Sequence, residues 1–446
     1  MIVLTYGTSF LLSEHDSSVG LIQPPCERHL GPSARIDSLR KAPSARHHPP
    51  ITVTPGTEES GGLADYELIE TQTELSDLVP ELAKEEVLAF DTEADSFYHY
   101  FDKTCLVQVA TRKQIYLLDP LAMGGPEALK PLAPLFASQD IRTLFHAAEY
   151  DIYVLKRDCG FRFNNLFDTM VCAQLLGYSG IGLAALVERQ FDIKLPKDEQ
   201  RSDWSARPLR QKQLTYAAAD VRYLIRVAER LEKELRKLDR LSWAEDEFRT
   251  LEKREWPDRE FDRLGYLKIK GARALDPQSL SLLRELYLVR DKRAREVDRP
   301  AFKVLGNRTL LELAQKRPGS EKELGAIKGV TDLILRRFGR EIMGAVERGM
   351  KRKHGPIPKS TGTGRKRMDR RTEHRLAVLK KWRGDKAKEL ALDPGVMCPN
   401  AQLESIAFEN PLTAAAVAKA GVKAWFGRSC GSEIAQLLRD LEAENS

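Results

Sequence analysis

Three separate segments of the sequence carry acidic residues at positions where their carboxylates could meet. Asp91 and Glu93 follow a short apolar run, and residues two apart in a strand point to the same face. Asp151 lies in the first turns of a predicted helix, and Asp220 follows Tyr216 by four residues, with three alanines between them. That spacing places the phenol and the carboxylate on one helical face. If the four carboxylates converge, they repel one another and either take up protons or collect cations.

The residues available as ligands favour a hard cation. The chain has eight histidines and six cysteines, and no two cysteines have the C-x-x-C spacing of a zinc or redox site. Oxygen ligands without histidine or cysteine favour Mg²⁺ or Mn²⁺. Two such ions, roughly 3.5–4 Å apart, can activate water and stabilise the leaving oxygen of a phosphodiester. The acids therefore predict metal-assisted phosphodiester hydrolysis.

Each acidic residue also has an ordinary structural explanation when it is taken alone. An aspartate in the first turn of a helix, such as Asp151, complements the helix dipole. Tyr216 could be a half-buried aromatic residue with a solvated hydroxyl. The prediction of a site therefore depends on the ordered set and on the elements that position it.

The surrounding pattern is that of an α/β domain, in which strands come first and helices follow. Strands are predicted at residues 87–90, 106–110, 114–118 and 141–145. Helical segments are predicted at residues 126–136, 146–159, 168–178, 183–191 and 209–247.

Two helical blocks follow, at residues 276–349 and from 372 to the end, and they align with each other at an offset of 93. The matched pairs are Arg290 with Arg383, Ala294 with Ala387, Glu296 with Glu389, Asn307 with Asn400, Leu310 with Leu403, Leu313 with Ile406 and Pro318 with Pro411. A repeated helical domain explains these matches better than two unrelated bundles do. Asn307 and Asn400 each precede a leucine-rich run, where an N-cap is expected.

Positive charge is concentrated in one stretch of the chain. Residues 351–371 carry nine basic residues and one acidic residue, an excess of +8 against +6 for all 446 residues. This stretch indicates either a polyanionic partner or a solvated linker. The first 62 residues lack sustained periodicity and are predicted to be a disordered leader. The chain has neither a secretory signal nor about 18 uninterrupted apolar residues, so it is predicted to be cytoplasmic, without a membrane partner.

Three motifs, in order, resemble those of the DEDD superfamily of exonucleases, in the subgroup with tyrosine in the third motif. They are Phe90-Asp91-Thr92-Glu93, His146-Ala147-Ala148-Glu149-Tyr150-Asp151 and Tyr216-Ala217-Ala218-Ala219-Asp220. The segment Arg201-Ser202-Asp203-Trp204-Ser205-Ala206-Arg207-Pro208-Leu209 resembles the ribonuclease D family in particular, and the two repeats resemble its paired HRDC domains.

This resemblance implies a ribonuclease H-like exonuclease domain, with a mixed sheet and flanking helices, followed by two small all-α HRDC domains. The implied division is a leader at 1–62, an exonuclease domain at 63–250, HRDC domains at 274–352 and 372–446, and a basic linker at 353–371. The implied activity is 3′–5′ exoribonuclease hydrolysis that releases 5′-mononucleotides, with tRNA precursors as substrates. No obligate protein partner is implied.

The resemblance also assigns roles at the site. Asp91 would bridge two divalent ions, Mg²⁺ or Mn²⁺. Glu93 and Asp220 would complete the site of the ion that activates water, and Asp151 would hold the second ion. Tyr216 would orient the attacking water, because a phenol with a pKa near 10 is a poor base at neutral pH.

Four further residues are candidates for substrate binding. His146 could contact substrate or satisfy a local hydrogen bond, and Phe97 and Tyr98 could stack on terminal bases or pack within a loop. Arg207 is a candidate phosphate contact.

Two other functions stay open from the residues alone. The acids act at the phosphate and do not distinguish ribose from deoxyribose, so a DNA-directed exonuclease would carry the same acidic residues. A catalytically silent RNA-binding scaffold is the alternative of another class, although a binding surface gains nothing from clustered negative charge beside phosphates.

Overall fold

The computed structural model describes residues 65–257, 260–352 and 368–444. The predicted leader and residues 353–367 of the predicted basic linker lie outside the described residues. Within them, a six-stranded sheet with flanking helices is followed by two blocks of helices, which confirms the predicted fold class. None of the described helices is long and apolar enough to pass through a lipid bilayer.

The sheet is mixed, with the strand order β1-β4-β3-β2-β5-β6. Strand β3 is antiparallel to both β2 and β4, and the remaining neighbours are parallel. The strands are β1 (Glu67–Ile69), β2 (Val87–Ala94), β3 (Thr104–Ala110), β4 (Ile115–Leu118), β5 (Arg142–Phe145) and β6 (Leu166–Asp168). The four predicted strands are present, and the two three-residue edge strands were not predicted.

Eight helices accompany the sheet in the described residues, together with a 3₁₀ helix at Pro126–Leu132. They are α1 (Gln72–Leu82), α2 (Ala133–Ala137), α3 (Glu149–Cys159), α4 (Thr169–Leu175), α5 (Leu183–Phe191), α6 (Gln211–Arg222), α7 (Leu224–Lys237) and α8 (Leu241–Lys253). The helical stretch predicted at 209–247 is therefore three helices. The chain turns at Tyr223 and again near Asp239, whose φ of 55° is incompatible with a continuing helix.

Strand β2 is held in the core by its first half. The ring of Phe90 lies 4.5 Å from that of Phe136 and 5.7 Å from that of Phe145, which fixes this side chain on one face of the sheet. Because side chains alternate along a strand, Asp91 and Glu93 point to the opposite face. Helix α6 packs across β2, β3 and β4.

The two helical blocks have the same fold, which confirms the predicted repeat. Arg290 donates to the carbonyl of Leu305, and Arg383 makes the equivalent bond to Cys398, 93 residues further on in each case. The first block contains α9 (Pro277–Glu296), α10 (Ala301–Val304), α11 (Asn307–Lys316), α12 (Glu321–Gly325) and α13 (Asp332–Lys351). The second contains α14 (Arg370–Glu389), α15 (Pro394–Met397), α16 (Asn400–Glu409), α17 (Ala414–Lys419) and α18 (Ala424–Glu444).

The predicted asparagine N-caps are wrong. Gly306 and Pro399, both with extended backbone, occupy the N-cap positions, and Asn307 and Asn400 are the first helical residues. At that position a side chain lies within the helix and cannot turn back to the first free amides. Instead, the Asn307 side chain accepts a hydrogen bond of 2.7 Å from Arg290.

The second helical block packs on the α/β domain through α18 and α8. Trp243 and Trp425 stack with their centroids 4.4 Å apart, and the indole N–H of the buried Trp425 donates to Glu247. A stacked aromatic pair whose buried member has its indole N–H satisfied is a strong attachment point.

Candidate active site

The end of strand β2 and helix α6 bring three carboxylates together. Asp91 and Glu93 are half-buried at the end of the strand, where the register to β3 shifts between Glu93 and Ala94. Three buried alanines, Ala217–Ala219, let the backbone of α6 approach the sheet closely. Carboxylate oxygens of Asp91, Glu93 and Asp220 consequently lie within 4.8 Å of one another. Oxygens at this separation can share a cation.

Asp151 reaches the same point from helix α3. It is only 6% exposed, and one of its carboxylate oxygens accepts a 2.6 Å hydrogen bond from the hydroxyl of Thr92. Thr92 lies between Asp91 and Glu93 in the strand and points to the other face. Helices α3 and α6 therefore approach the end of β2 from opposite faces. Asp151 lies close enough to raise the pKa of Asp91 and Glu93, but it stands outside the group of three acids whose oxygens lie within 4.8 Å of one another.

A buried aspartate at the start of α4 fixes the turn that leads into α3. The carboxylate of Asp168 accepts hydrogen bonds from the amides of Ala147 and Ala148, at 3.0 and 2.8 Å. The same carboxylate caps α4 through the amide of Met170. Ala147 has a φ of 63°, an uncommon conformation for alanine. These bonds hold the strained turn and so set the position of Asp151.

The electrostatics of the cluster are those of an anionic site without a counter-charge. Burial raises the pKa of Asp91 and Glu93 well above the usual range, and the neighbouring carboxylates raise it further. Burial also raises the pKa of Asp151 and Asp220 to about 7. Over the described ranges, no lysine, arginine or histidine forms an ion pair with any of the four. This all-oxygen donor set fits a hard divalent cation, which would supply the missing charge.

Tyr216 lies over the same cluster. Its phenol lies beside the Asp220 carboxylate, about one turn away on α6, and its ring centroid is 6.1 Å from that of the buried Trp204. Burial, followed by the charges of Asp220, Glu93 and Asp91, raises the pKa of the phenol. A phenol that stays protonated can donate and orient a hydrogen bond, but it cannot serve as a base at neutral pH.

His146 is held in one tautomer. The hydroxyl of Thr169 donates to the carbonyl of Phe145 at 3.1 Å, so its oxygen accepts from Nδ1 of His146 at 2.9 Å. Burial lowers the pKa of the imidazole to about 4, so the ring is neutral. His146 can therefore offer only its Nε2 lone pair as an acceptor.

Arg207 is fully engaged within the protein. Its guanidinium forms two hydrogen bonds with the buried carboxylate of Asp119, at 2.6 and 2.7 Å. The remaining N–H groups donate to the carbonyls of Cys105, Trp204 and Ala206. This arrangement favours a brace between the 201–208 segment and β3 over the suggested phosphate contact.

Phe97 and Tyr98 lie where the loop after β2 meets the first helical block. The ring of Phe97 is 6.4 Å from that of Phe302, and Nζ of Lys303 is 3.9 Å from the centroid of Tyr98. The Tyr98 hydroxyl donates to the carbonyl of Arg201. Both side chains thus belong to an interface between two domains, which the sequence did not indicate.

Sequence reasoning missed two residues beside the acids. Thr92 orients Asp151, although it stands within the first motif. Gln108 lies directly opposite Asp91 across β2 and β3, is fully buried, and has no hydrogen-bond partner for its carboxamide among the described residues. In the sequence, Gln108 stands out as the polar residue in the middle of the apolar run 106–110, and that contrast could have identified it.

Comparisons with known proteins agree with this geometry. A family model described as 3′–5′ exonuclease matches residues 66–236, and the HRDC domain model matches residues 279–346 and 373–438. Ribonuclease D of Desulfotalea psychrophila is 30% identical over 341 residues, which cover 76% of this chain and 90% of the relative.

Two solved structures are also similar. The catalytic core of RRP6 from Trypanosoma brucei is 29% identical, with a TM-score of 0.59, and the match covers 64% of this chain and 80% of that one. Escherichia coli RNase D shares the fold, with 24% identity, a TM-score of 0.62 and coverage of 85% and 99%. With its acid cluster at the end of β2 and its two helical repeats, the chain belongs to the ribonuclease D family of 3′–5′ exoribonucleases.

Proposed function

We propose that the chain hydrolyses the 3′-terminal phosphodiester of RNA with two divalent ions, Mg²⁺ or Mn²⁺, and releases 5′-mononucleotides. The observation that supports this proposal is the cluster of Asp91, Glu93 and Asp220, with Asp151 as a close charged neighbour and no cationic partner among the described residues. Bound ions at these oxygens supply a Lewis acid and lower the pKa of water. We also propose that the activity is cytoplasmic.

Each residue of the site has a distinct role in this proposal. Asp91, at the centre of the cluster, would contact both ions, Glu93 and Asp220 one of them, and Asp151 the other. The protonated Tyr216 hydroxyl would orient the attacking water. Since its pKa is raised, the phenol keeps its proton throughout the reaction.

Thr92 acts on Asp151 through its hydroxyl. Its 2.6 Å hydrogen bond occupies one oxygen of the Asp151 carboxylate. The other oxygen is then directed to the site in one orientation, and such a fixed ligand needs no reorganisation when substrate binds.

We propose tRNA precursors as the natural substrates. Their 3′ extensions are single strands that leave a folded body, so the acid site can take the end while other surfaces hold the body. The two helical domains carry no comparable acid cluster in the described residues and are suited to that second task. Domains that bind the same RNA raise the effective concentration of its end at the site.

The test is release of a labelled 3′-terminal nucleotide from RNA in the presence of Mg²⁺ or Mn²⁺. Asp91→Asn should lower the rate by at least 100-fold and still bind RNA. Glu149→Gln is the matched control, because Glu149 lies two residues before Asp151 but pairs with Arg254. Equal rates for Asp91→Asn and wild type, or a label that persists with the folded wild type, would reject the proposal.

The same assay decides the remaining questions of substrate. A matched DNA strand should be cleaved more slowly than RNA, and a tRNA with a 3′ extension should lose that extension one nucleotide at a time. Faster cleavage of the DNA strand would assign the chain to DNA instead.

A further inference from the structure

The loop that leaves strand β2 begins beside the acid cluster and is held by hydrogen bonds at its base. It covers residues 95–101, two residues beyond Glu93. The buried carboxylate of Asp95 accepts bonds from the Lys103 amide and ammonium, at 2.8 and 2.6 Å, and thereby closes the base of the loop. The Asp95 carbonyl accepts from the amides of Tyr98 and His99. We call this segment the rim loop.

The first helical block fastens the rim loop in place. Asp298, just after α9, accepts hydrogen bonds from the amides of Tyr100 and Phe101, at 3.0 and 3.1 Å, and lies 2.6 Å from Nδ1 of His99. The Tyr100 hydroxyl donates to Asp291 at 2.6 Å. The rim loop and the α9–α10 junction therefore form one surface with fixed geometry.

That joint surface exposes aromatic rings from both domains. Phe302, on α10, is 53% exposed, although phenylalanine is among the residues most often buried in folded proteins. Its ring meets that of Phe97 edge to face at 6.4 Å. On the rim loop itself, Phe101 is 61% exposed. These rings offer π-faces on, or in contact with, the loop that begins two residues after Glu93.

Two basic residues next to these rings are available to a ligand, whereas Asp298 and Asp291 are engaged by the rim loop. Lys303 and Arg299 are exposed, and within the described ranges neither forms an ion pair. Lys303 already lies over the ring of Tyr98, with its ammonium 3.9 Å from the centroid. Exposed aromatic rings beside exposed cations are the combination that binds single-stranded nucleic acid, since bases stack on the rings and phosphates meet the cations.

We propose that Phe302 and Lys303 of the first helical domain, together with Phe97 of the rim loop, form a stacking platform for single-stranded RNA. The platform would hold the nucleotides that precede the one at the acid cluster, so the HRDC domain would supply part of the substrate site. This inference rests on the proposed function, because it assumes that an RNA end enters between the four acids.

The test measures binding of a fluorescein-labelled RNA octamer to the full chain by anisotropy, in the inactive Asp91→Asn background. Phe302→Ala should weaken binding by about 5- to 150-fold, the usual effect of removing one stacking contact. Phe302→Trp, which keeps a π-face, should bind like the background protein. Lys303→Ala should lower the slope of log affinity against log salt by about 0.7.

The matched control is Leu333→Ala, which removes an exposed apolar side chain, 49% accessible, from the same helical block. It should leave the affinity unchanged. Because Phe302 is exposed, its alanine variant should also keep the melting temperature of the background protein. Unchanged RNA affinity in Phe302→Ala, or an equal loss in Leu333→Ala, would overturn the platform.

Failure of the platform can be told apart from failure of the enzyme. If Phe302→Ala loses RNA affinity while wild type releases no labelled nucleotide, the platform stands and the proposed hydrolysis falls. If wild type cleaves and Phe302→Ala binds and cleaves equally well, the hydrolysis stands and the platform is rejected.

Discussion

Neutralising one acid of the cluster should stabilise the metal-free protein, and Asp220 is the clearest case. Burial raises its pKa to about 7 from an ordinary value of 3.8. Between these values the folded protein binds a proton that the unfolded chain has lost. The free energy of unfolding therefore falls as pH rises from about 4 to about 7, and it stays low above that.

The size of the change in the free energy of unfolding follows from the pKa shift of Asp220. A shift from 3.8 to about 7 corresponds to at most about 4 kcal/mol. Because part of the Asp220 surface is exposed, solvent screening lowers the expected value to about 2 kcal/mol. Asp220→Asn carries no such charge, so at pH 8 in EDTA its melting temperature should exceed that of wild type by about 4–8 °C.

The assay is thermal unfolding in EDTA at pH 5 and pH 8. The gain in Asp220→Asn at pH 5 should be about a third of its value at pH 8, because the charge penalty builds up between the two pKa values. Adding Mg²⁺ at 100 times its Kd should stabilise wild type by about 2.7 kcal/mol and the variant by less. Glu149→Gln, which loses a carboxylate paired with Arg254, should show no gain at pH 8. An Asp220→Asn protein no more stable than wild type at pH 8 would refute the reasoning.

Three further predictions concern catalysis and domain attachment. Thr92→Val removes the donor to Asp151 and should lower the rate of single-turnover cleavage at least 10-fold. The control is Thr143→Val, which removes a buried hydroxyl without a partner in the described residues and should leave that rate unchanged. Tyr216→Phe keeps the ring packing but loses the hydroxyl, so kcat should fall by about 10²- to 10⁴-fold with little change in KM, and equal kcat values would contradict this role. Trp425→Ala removes a fully buried indole and should cost about 3–5 kcal/mol in the unfolding of the second helical domain, measured by denaturant titration; a loss below about 1 kcal/mol would contradict the attachment.

The acid cluster could be predicted because its members stand at the ends of strongly patterned elements. The apolar run 87–90 identifies a core strand, and the alternation of side chains then places Asp91 and Glu93 on one face. The three alanines before Asp220 likewise indicate a helix that packs closely. The local pattern was sufficient to place a side chain wherever the direction of that side chain follows from its own strand or helix alone.

The features that the sequence did not predict depend on contacts between distant segments. Strands β1 and β6 have three residues each, too few for periodicity to be visible, and they exist because the sheet provides a neighbour. Asp298 lies 199 residues from His99, and nothing in either segment indicates their 2.6 Å contact. The role of Thr92 was missed because its partner is on another element.

Anomalous diffraction from crystals of this protein grown with Mn²⁺ tests the central claim most directly. We predict two Mn²⁺ peaks, roughly 3.5–4 Å apart, bounded by carboxylate oxygens of Asp91, Glu93, Asp151 and Asp220. Manganese bound elsewhere on the chain, with no peak among these four side chains, would contradict it.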